Sequence, residues 1–241
     1  MAACPNGVVL DDSASKQNLE MKPSHNTWPQ YLRNGFGLKL SRLGEVLGVD
    51  RWTYNPVILE LFHSIALQNA EKVASAVLEL FPQITSVVDV GSGSGAFAAE
   101  LQRRGVRAVG LERSAHGRML ASQQSVECRE FDVRTPCDRD LVHSFDLAYS
   151  FEVAEHLPPA LADSFVSYMA QLSDLILFAA AQPGQGGIGH INEQPVSYWL
   201  AKFSVHGFRL DDVATQKIRT LFRDKGASDW FGNNACVLQR Q

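Results

Sequence analysis

The stretch Val87-Val88-Asp89-Val90-Gly91-Ser92-Gly93-Ser94-Gly95 decides how this chain is read. An apolar run from Ser86 to Val90 meets three alternate glycines, and an alanine-rich segment starts at Ala96. A strand must turn sharply there into a helix. Glycine adopts the positive φ such a turn requires and lets a ligand approach the backbone. The helix N-terminus behind it offers unpaired N–H groups and the positive end of a dipole, which suit a carboxylate or a phosphate. Seventeen residues beyond Gly95, Glu112 closes a second apolar run, and its carboxylate can accept from both hydroxyls of a ribose. Together these features predict a nucleotide-like cofactor between two strand ends.

Outward from this stretch the chain alternates. Strands are expected near Ser86–Val90, Ala108–Leu111, Val126–Phe131, Leu147–Tyr149 and Leu175–Ala179. Helices are expected between them near Ala96–Arg104, Gly117–Gln123, Pro159–Leu172 and Pro195–Phe203. That order predicts an α/β, doubly wound, mostly parallel sheet with ligands at the C-terminal strand edge. Asn55-Pro56 is a helix start, N-cap then proline, for a helix to about Gln68; a second helix is expected from Glu71 to Leu80, ended by Pro82. Residues 1–22 read as a flexible tail, 23–82 as an N-terminal helical cap bearing Trp28, Tyr31, Phe36, Trp52 and Tyr54, and 83–241 as the cofactor-binding domain.

Two cofactor classes compete for the glycine loop. Gly91-x-Gly93-x-x-Ala96 also satisfies a dinucleotide fingerprint, which would make the chain an NAD(P)-dependent oxidoreductase. Asp89 argues against it, because a carboxylate two residues before the first glycine repels a pyrophosphate and attracts a cation. S-adenosylmethionine, with an ammonium and a sulfonium, is such a cation.

Four ordered motifs carry a family resemblance: Val88-Asp89-Val90-Gly91-Ser92-Gly93-Ser94-Gly95, Gly110-Leu111-Glu112, Phe131-Asp132-Val133, and the segment from Phe145 to Pro158. Over about residues 87–208 the chain resembles the class I S-adenosylmethionine-dependent methyltransferases. The resemblance implies a seven-stranded, Rossmann-like methyltransferase fold in which Gly207–Asp211 and Ala235–Gln239 add an antiparallel hairpin. It also implies that Asp89, Gly91, Gly93 and Gly95 flank the methionine part of S-adenosylmethionine. Glu112 would hold the ribose, Asp132 and Val133 would border the adenine, and Ser150 and Phe151 would close the pocket.

Methyl transfer needs a positioned nucleophile and an acceptor for its proton. His143, His156 and His190 stand near expected strand ends, and His156 and His190 are the catalytic candidates. In Glu152-Val153-Ala154-Glu155-His156, a helical turn would set Glu152, Glu155 and His156 on one face, where they would suit a divalent cation such as Mg²⁺. This E-x-x-E-H pattern resembles that of ubiquinone-pathway O-methyltransferases and of small-RNA 2′-O-methyltransferases, which implies a Mg²⁺-assisted alternative acting on a catechol or an RNA ribose. The glycine-rich segment from Gln182 to Pro195 reads as a lid whose His190, Asn192, Glu193 and Gln194 suit a polar, small-molecule acceptor such as a sugar.

Composition bounds the rest. With 241 residues, 45% of them hydrophobic, the chain can bury a single core. Its 22 basic and 26 acidic residues give a net charge of −4, which disfavours broad nucleic-acid binding, and the Arg103, Arg104 and Arg107 cluster reads as a solvated face. Four cysteines without paired spacing read as reduced thiols in a cytoplasmic protein, and neither a membrane span nor an export signal is expected.

Overall fold

The computed structural model describes residues 36–47 and 53–241. The expected tail and the aromatic residues Trp28, Tyr31 and Trp52 lie outside the described residues. The elements are α1 (Phe36–Leu47), α2 (Pro56–Leu80), β1 (Ser86–Val90), α3 (Ala96–Arg103), β2 (Arg107–Glu112), α4 (Ala115–Gln123), β3 (Glu127–Glu130) and β4 (Leu147–Phe151). After two single-turn 3₁₀ segments come α5 (Ala162–Leu172), β5 (Leu175–Ala179), α6 (Val196–Val205), β6 (Phe208–Leu210), α7 (Asp212–Asp224), α8 (Asp229–Asn234) and β7 (Cys236–Arg240). Seven strands form one sheet in the order β3-β2-β1-β4-β5-β7-β6. The first five are parallel, and β7 runs antiparallel to both β5 and β6.

The central strands show why this sequence makes a sheet buried on both faces. Leu147 to Phe151 of β4 are all buried, as a parallel strand between two helical layers requires. On one face Val87, Leu147, Tyr149, Leu177 and Val237 pack with Val73, Ala74 and Val77 of α2 and with Ile218 and Phe222 of α7. On the other, Val88, Val90, Val109, Ala148 and Ile176 pack with Phe165 and Met169 of α5 and with Trp199 and Phe203 of α6. Among the described residues no helix is long and apolar enough to cross a membrane.

Two expectations are corrected. The helices expected at Asn55–Gln68 and Glu71–Leu80 are one 25-residue helix, α2, capped where expected by Asn55, whose side chain accepts from Val57 N. Nothing breaks it at Asn69. That side chain donates to Ile65 O at 2.9 Å, and its Oδ1 accepts from the N and Oγ of Ser228, so the buried amide is satisfied inside the helix. The last two strands are antiparallel neighbours, but α7 and α8 separate them in sequence, so they are not a hairpin. Helix α7 was legible: Asp211 caps it by accepting from Ala214 N, and Thr215, Ile218, Leu221 and Phe222 form its buried stripe.

Candidate active site

The C-terminal edges of β1 and β2 carry the glycine loop. Gly91, Gly93 and Gly95 all have positive φ, at 79°, 52° and 71°. The N–H groups of Gly91 and Ser92 both donate to Leu111 O, binding the loop to the end of β2. A Cβ on Gly91 would run into the Val153 side chain, whereas the space beside Gly93 is open. Steric need therefore explains the first glycine, and the second leaves an open space beside the backbone.

Glu112 is fastened across this loop. One carboxylate oxygen accepts from Gly93 N at 2.8 Å and the other from Ser114 N at 2.6 Å, which leaves each oxygen a further lone pair. Burial pushes its carboxyl above the usual range, against the pull of these two N–H groups. Asp89 sits on β1 between Gly110 and Tyr149 in register, 3% exposed, and its Oδ2 has no hydrogen-bond partner. Burial first, and then the Glu112 charge, push its carboxyl up to about 8. A buried carboxyl with one unpartnered oxygen beside an open glycine would regain its charge next to a cationic amino-acid nucleoside, which a diphosphate would not allow.

The other expected cofactor residues are placed as follows. The Asp132 carboxylate is forked by the Arg134 guanidinium, which holds it well below the usual carboxylate range, and Val133 is buried next to it. Ser150 Oγ donates to Val90 O at 2.8 Å, tying β4 to β1. The Phe151 ring packs among Phe97, Phe222 and Phe231. The side chains of Ser150 and Phe151 therefore serve the sheet and its core.

Beyond β4 a second group of residues gathers from three distant segments. Glu152 adopts φ 53° and breaks the strand, and Ala154–His156 form a single 3₁₀ turn. The helical face expected for Glu152, Glu155 and His156 does not form. Glu152 instead accepts from Gln185 Nε2 at 2.7 Å and Asn234 Nδ2 at 3.0 Å. Glu155 is wholly buried, and neither carboxylate oxygen has a hydrogen-bond partner. Its main-chain carbonyl accepts from Ile191 N and Asn192 N, pinning the glycine-rich segment expected to be a lid.

His190 comes from that segment. Its Nδ1 lies 2.8 Å from Glu193 Oε1, and its Nε2 lies 3.9 Å from Glu155 Oε1. The His156 and His190 rings meet edge to face at 4.9 Å. Potential ligand atoms of Glu155, His156 and His190 all lie within 4.8 Å of one another. Burial is the main cause holding the His156 imidazole down at about 4, so it is neutral at pH 7. Tyr54 reaches in from the start of α2, its hydroxyl 3.0 Å from His156 Nδ1 and 3.2 Å from Gly189 O.

His143 lies elsewhere. It precedes β4, at the opposite sheet edge, and pairs with Asp174 at 3.3 Å. Arginines read as a solvated cluster are partly engaged within the fold: Arg104 bridges Glu100 and Glu71, and Arg107 covers the Phe145 ring.

Comparison with known proteins bears on the domain and its fold. Residues 63–179 match the family model of a methyltransferase domain. No curated protein sequence matches. An O-methyltransferase family protein from Burkholderia thailandensis is 15% identical, with a TM-score of 0.60 over 88% of this chain and 70% of its own. The amino pentose methyltransferase CalS10 from Micromonospora echinaspora is 16% identical, with a TM-score of 0.58 over 76% and 97%. The sugar N-methyltransferase KedS8 from a Streptoalloteichus species is 18% identical, with a TM-score of 0.54 over 71% and 87%. At these identities the structural likeness speaks for the fold, and the family match speaks for the chemistry. The chain therefore has the fold of the class I S-adenosylmethionine-dependent methyltransferases, and its residues 63–179 match a methyltransferase domain, whose cofactor is S-adenosylmethionine.

Proposed function

We propose that this enzyme methylates an oxygen of a small polar acceptor, a sugar or a hydroxylated natural product, with His156 receiving the acceptor's proton. The observation that carries this reading is the convergence of Tyr54, His156 and His190 beyond β4, next to the strands that bear the glycine loop. Two structural neighbours, an amino pentose methyltransferase and a sugar N-methyltransferase, act on sugars, which supports a sugar-like acceptor and makes a nitrogen acceptor the variant to test against.

Asp89, Gly91, Gly93, Gly95 and Glu112 would hold the cofactor, with Asp132 and Val133 at its adenine end. S-adenosylmethionine supplies an electrophilic methyl group on a sulfonium. As the carbon–oxygen bond forms and the carbon–sulfur bond breaks, the hydroxyl proton passes to His156. A neutral imidazole of such low basicity cannot ionise an alcohol beforehand; it receives the proton as the methyl group arrives. His190, held by Glu193, orients the acceptor from the lid. In this reading α1 and α2 cover the acceptor side as a cap.

A second reading rests on the Glu155, His156 and His190 cluster, where two imidazoles and an unpartnered carboxylate fit a divalent cation. This set differs from the expected one, with His190 in place of Glu152. A cation there would orient an acceptor diol and lower the basicity required of the protein.

The test is a set of matched hydroxylated and amino sugars incubated with methyl-labelled S-adenosylmethionine, with and without EDTA. Label on the hydroxyl compounds, retained in EDTA, supports the first reading. Label on the amines alone overturns oxygen transfer. Activity lost in EDTA and restored by Mg²⁺ or Mn²⁺ favours the second.

A further inference from the structure

We propose that Tyr54 is a positioning residue that fixes the tautomer of His156, keeping the proton on Nδ1 and leaving Nε2 bare. The argument is one of proton counting. The Gly189 carbonyl can only accept, and it lies 3.2 Å from both His156 Nδ1 and the Tyr54 hydroxyl. A bare Nδ1 would set its lone pair against that carbonyl. A protonated Nδ1 donates to it, and the Tyr54 hydroxyl, 3.0 Å from the same nitrogen, shares in the arrangement while donating to Gly189 O. A neutral imidazole carries one ring proton, so Nε2 is then the acceptor nitrogen.

The competing acceptor is the Glu152 carbonyl, which also bears on the ring, less strongly than Gly189. Removing the Tyr54 hydroxyl weakens the Nδ1 side of that balance and lets the proton populate Nε2. The Tyr54 ring adds a steric part, meeting the imidazole edge to face at 5.6 Å. Gly189 belongs to the same device: with φ 75°, a Cβ there would collide with the Tyr54 hydroxyl. One contact thus joins the start of α2, the turn after β4 and the lid. The assignment rests on the reading of His156 as the residue beside the acceptor, and either role given to His156 requires a bare nitrogen.

The experiment is a long-range ¹H–¹⁵N spectrum of the full chain with ¹⁵N-labelled histidine at neutral pH, with His156 assigned by its absence from His156→Ala. Wild type is expected to show the Nδ1-protonated pattern. Tyr54→Phe, which keeps the ring, is expected to show a mixture of tautomers, a kcat about tenfold lower and an unchanged Kd for S-adenosylmethionine. Gly189→Ala should reproduce both changes by a different route. An Nε2-protonated wild type, an unchanged tautomer in Tyr54→Phe, or a changed tautomer with unchanged kcat overturns the proposal. A fully active His156→Ala is a different failure: it removes the role given to His156 while the spectrum still reports what Tyr54 does.

Discussion

The two halves of the site are built in opposite ways. At the proposed cofactor end, Gly91 to Gly95 follow β1, Glu112 ends the adjacent β2, and main-chain N–H groups fasten them together. At the proposed acceptor end, Tyr54, His156 and His190 come from three segments that meet only in the folded chain, and side chains make the bonds. A fixed cofactor can be served by a local, backbone-built cradle. A variable acceptor is served by parts that exchange independently. Each variant below should therefore damage one half and spare the other.

The largest effect is expected at His156. His156→Ala should lower kcat by about 100-fold or more while leaving the Kd for S-adenosylmethionine within about threefold. Stopped-flow turnover with parallel calorimetry checks it, and equal loss in both would erase the distinction between the halves.

Glu112→Ala should do the reverse. It strips Gly93 N and Ser114 N of their acceptor and the cofactor of its diol partner, so the Kd should rise by about 100-fold, from two or three charge-assisted hydrogen bonds. Turnover at saturating cofactor should change far less.

Asp89 links affinity to pH. Its carboxyl, near 8 in the folded chain against 3.8 ordinarily, keeps a proton that the unfolded chain gives up. Raising the pH from about 4 to 8 should therefore destabilise the cofactor-free protein, since the folded state binds more protons across that window. Asp89→Asn should melt on the order of 5 °C higher than wild type at pH 8 and converge with it near pH 4. The same variant should bind S-adenosylmethionine about tenfold more weakly at pH 8 and lose the rise in affinity that wild type shows as the pH approaches 8. Scanning calorimetry and titration at several pH values read both.

The glycines sharpen the comparison within one loop. Gly91→Ala meets Val153 and should cost about 2 kcal/mol of stability. Gly93→Ala meets open space, so it should cost about 1 kcal/mol in backbone strain while weakening cofactor binding more than Gly91→Ala does. Thermal melts set beside cofactor titrations separate the two, and identical profiles would deny that Gly93 faces the ligand.

The same division governs how much the sequence reveals. The strand-turn-helix at Ser86 to Ala96 was legible because its signals are contiguous: an apolar run, glycines at fixed spacing, and an acid one strand on. The acceptor end was half legible. His156 and His190 stood out as residue types, but E-x-x-E-H suggested a helical face, and the positive φ of Glu152 abolishes it. No local signal announces that strain. The Glu152 carboxylate is held by Gln185 and Asn234, contacts set by distant parts of the chain. Tyr54 was read among the cap aromatics because its partners lie 102 and 135 residues away. The expected gap between Gln68 and Glu71 failed in the same manner: Ser228, which satisfies Asn69 inside the helix, is 159 residues distant.

The unbroken span of α2 bears on how acceptor enters. A single helix of 25 residues is roughly 37 Å long, and its later turns are sealed into the core at Val73, Ala74 and Val77. A hinge at its middle would expose Asn69 and strip its three hydrogen bonds, so the helix beginning at Asn55 stands as one rigid rod. On the proposed reading, any opening of the acceptor side would fall to the glycine-rich segment between Gln182 and Pro195 rather than to this helix.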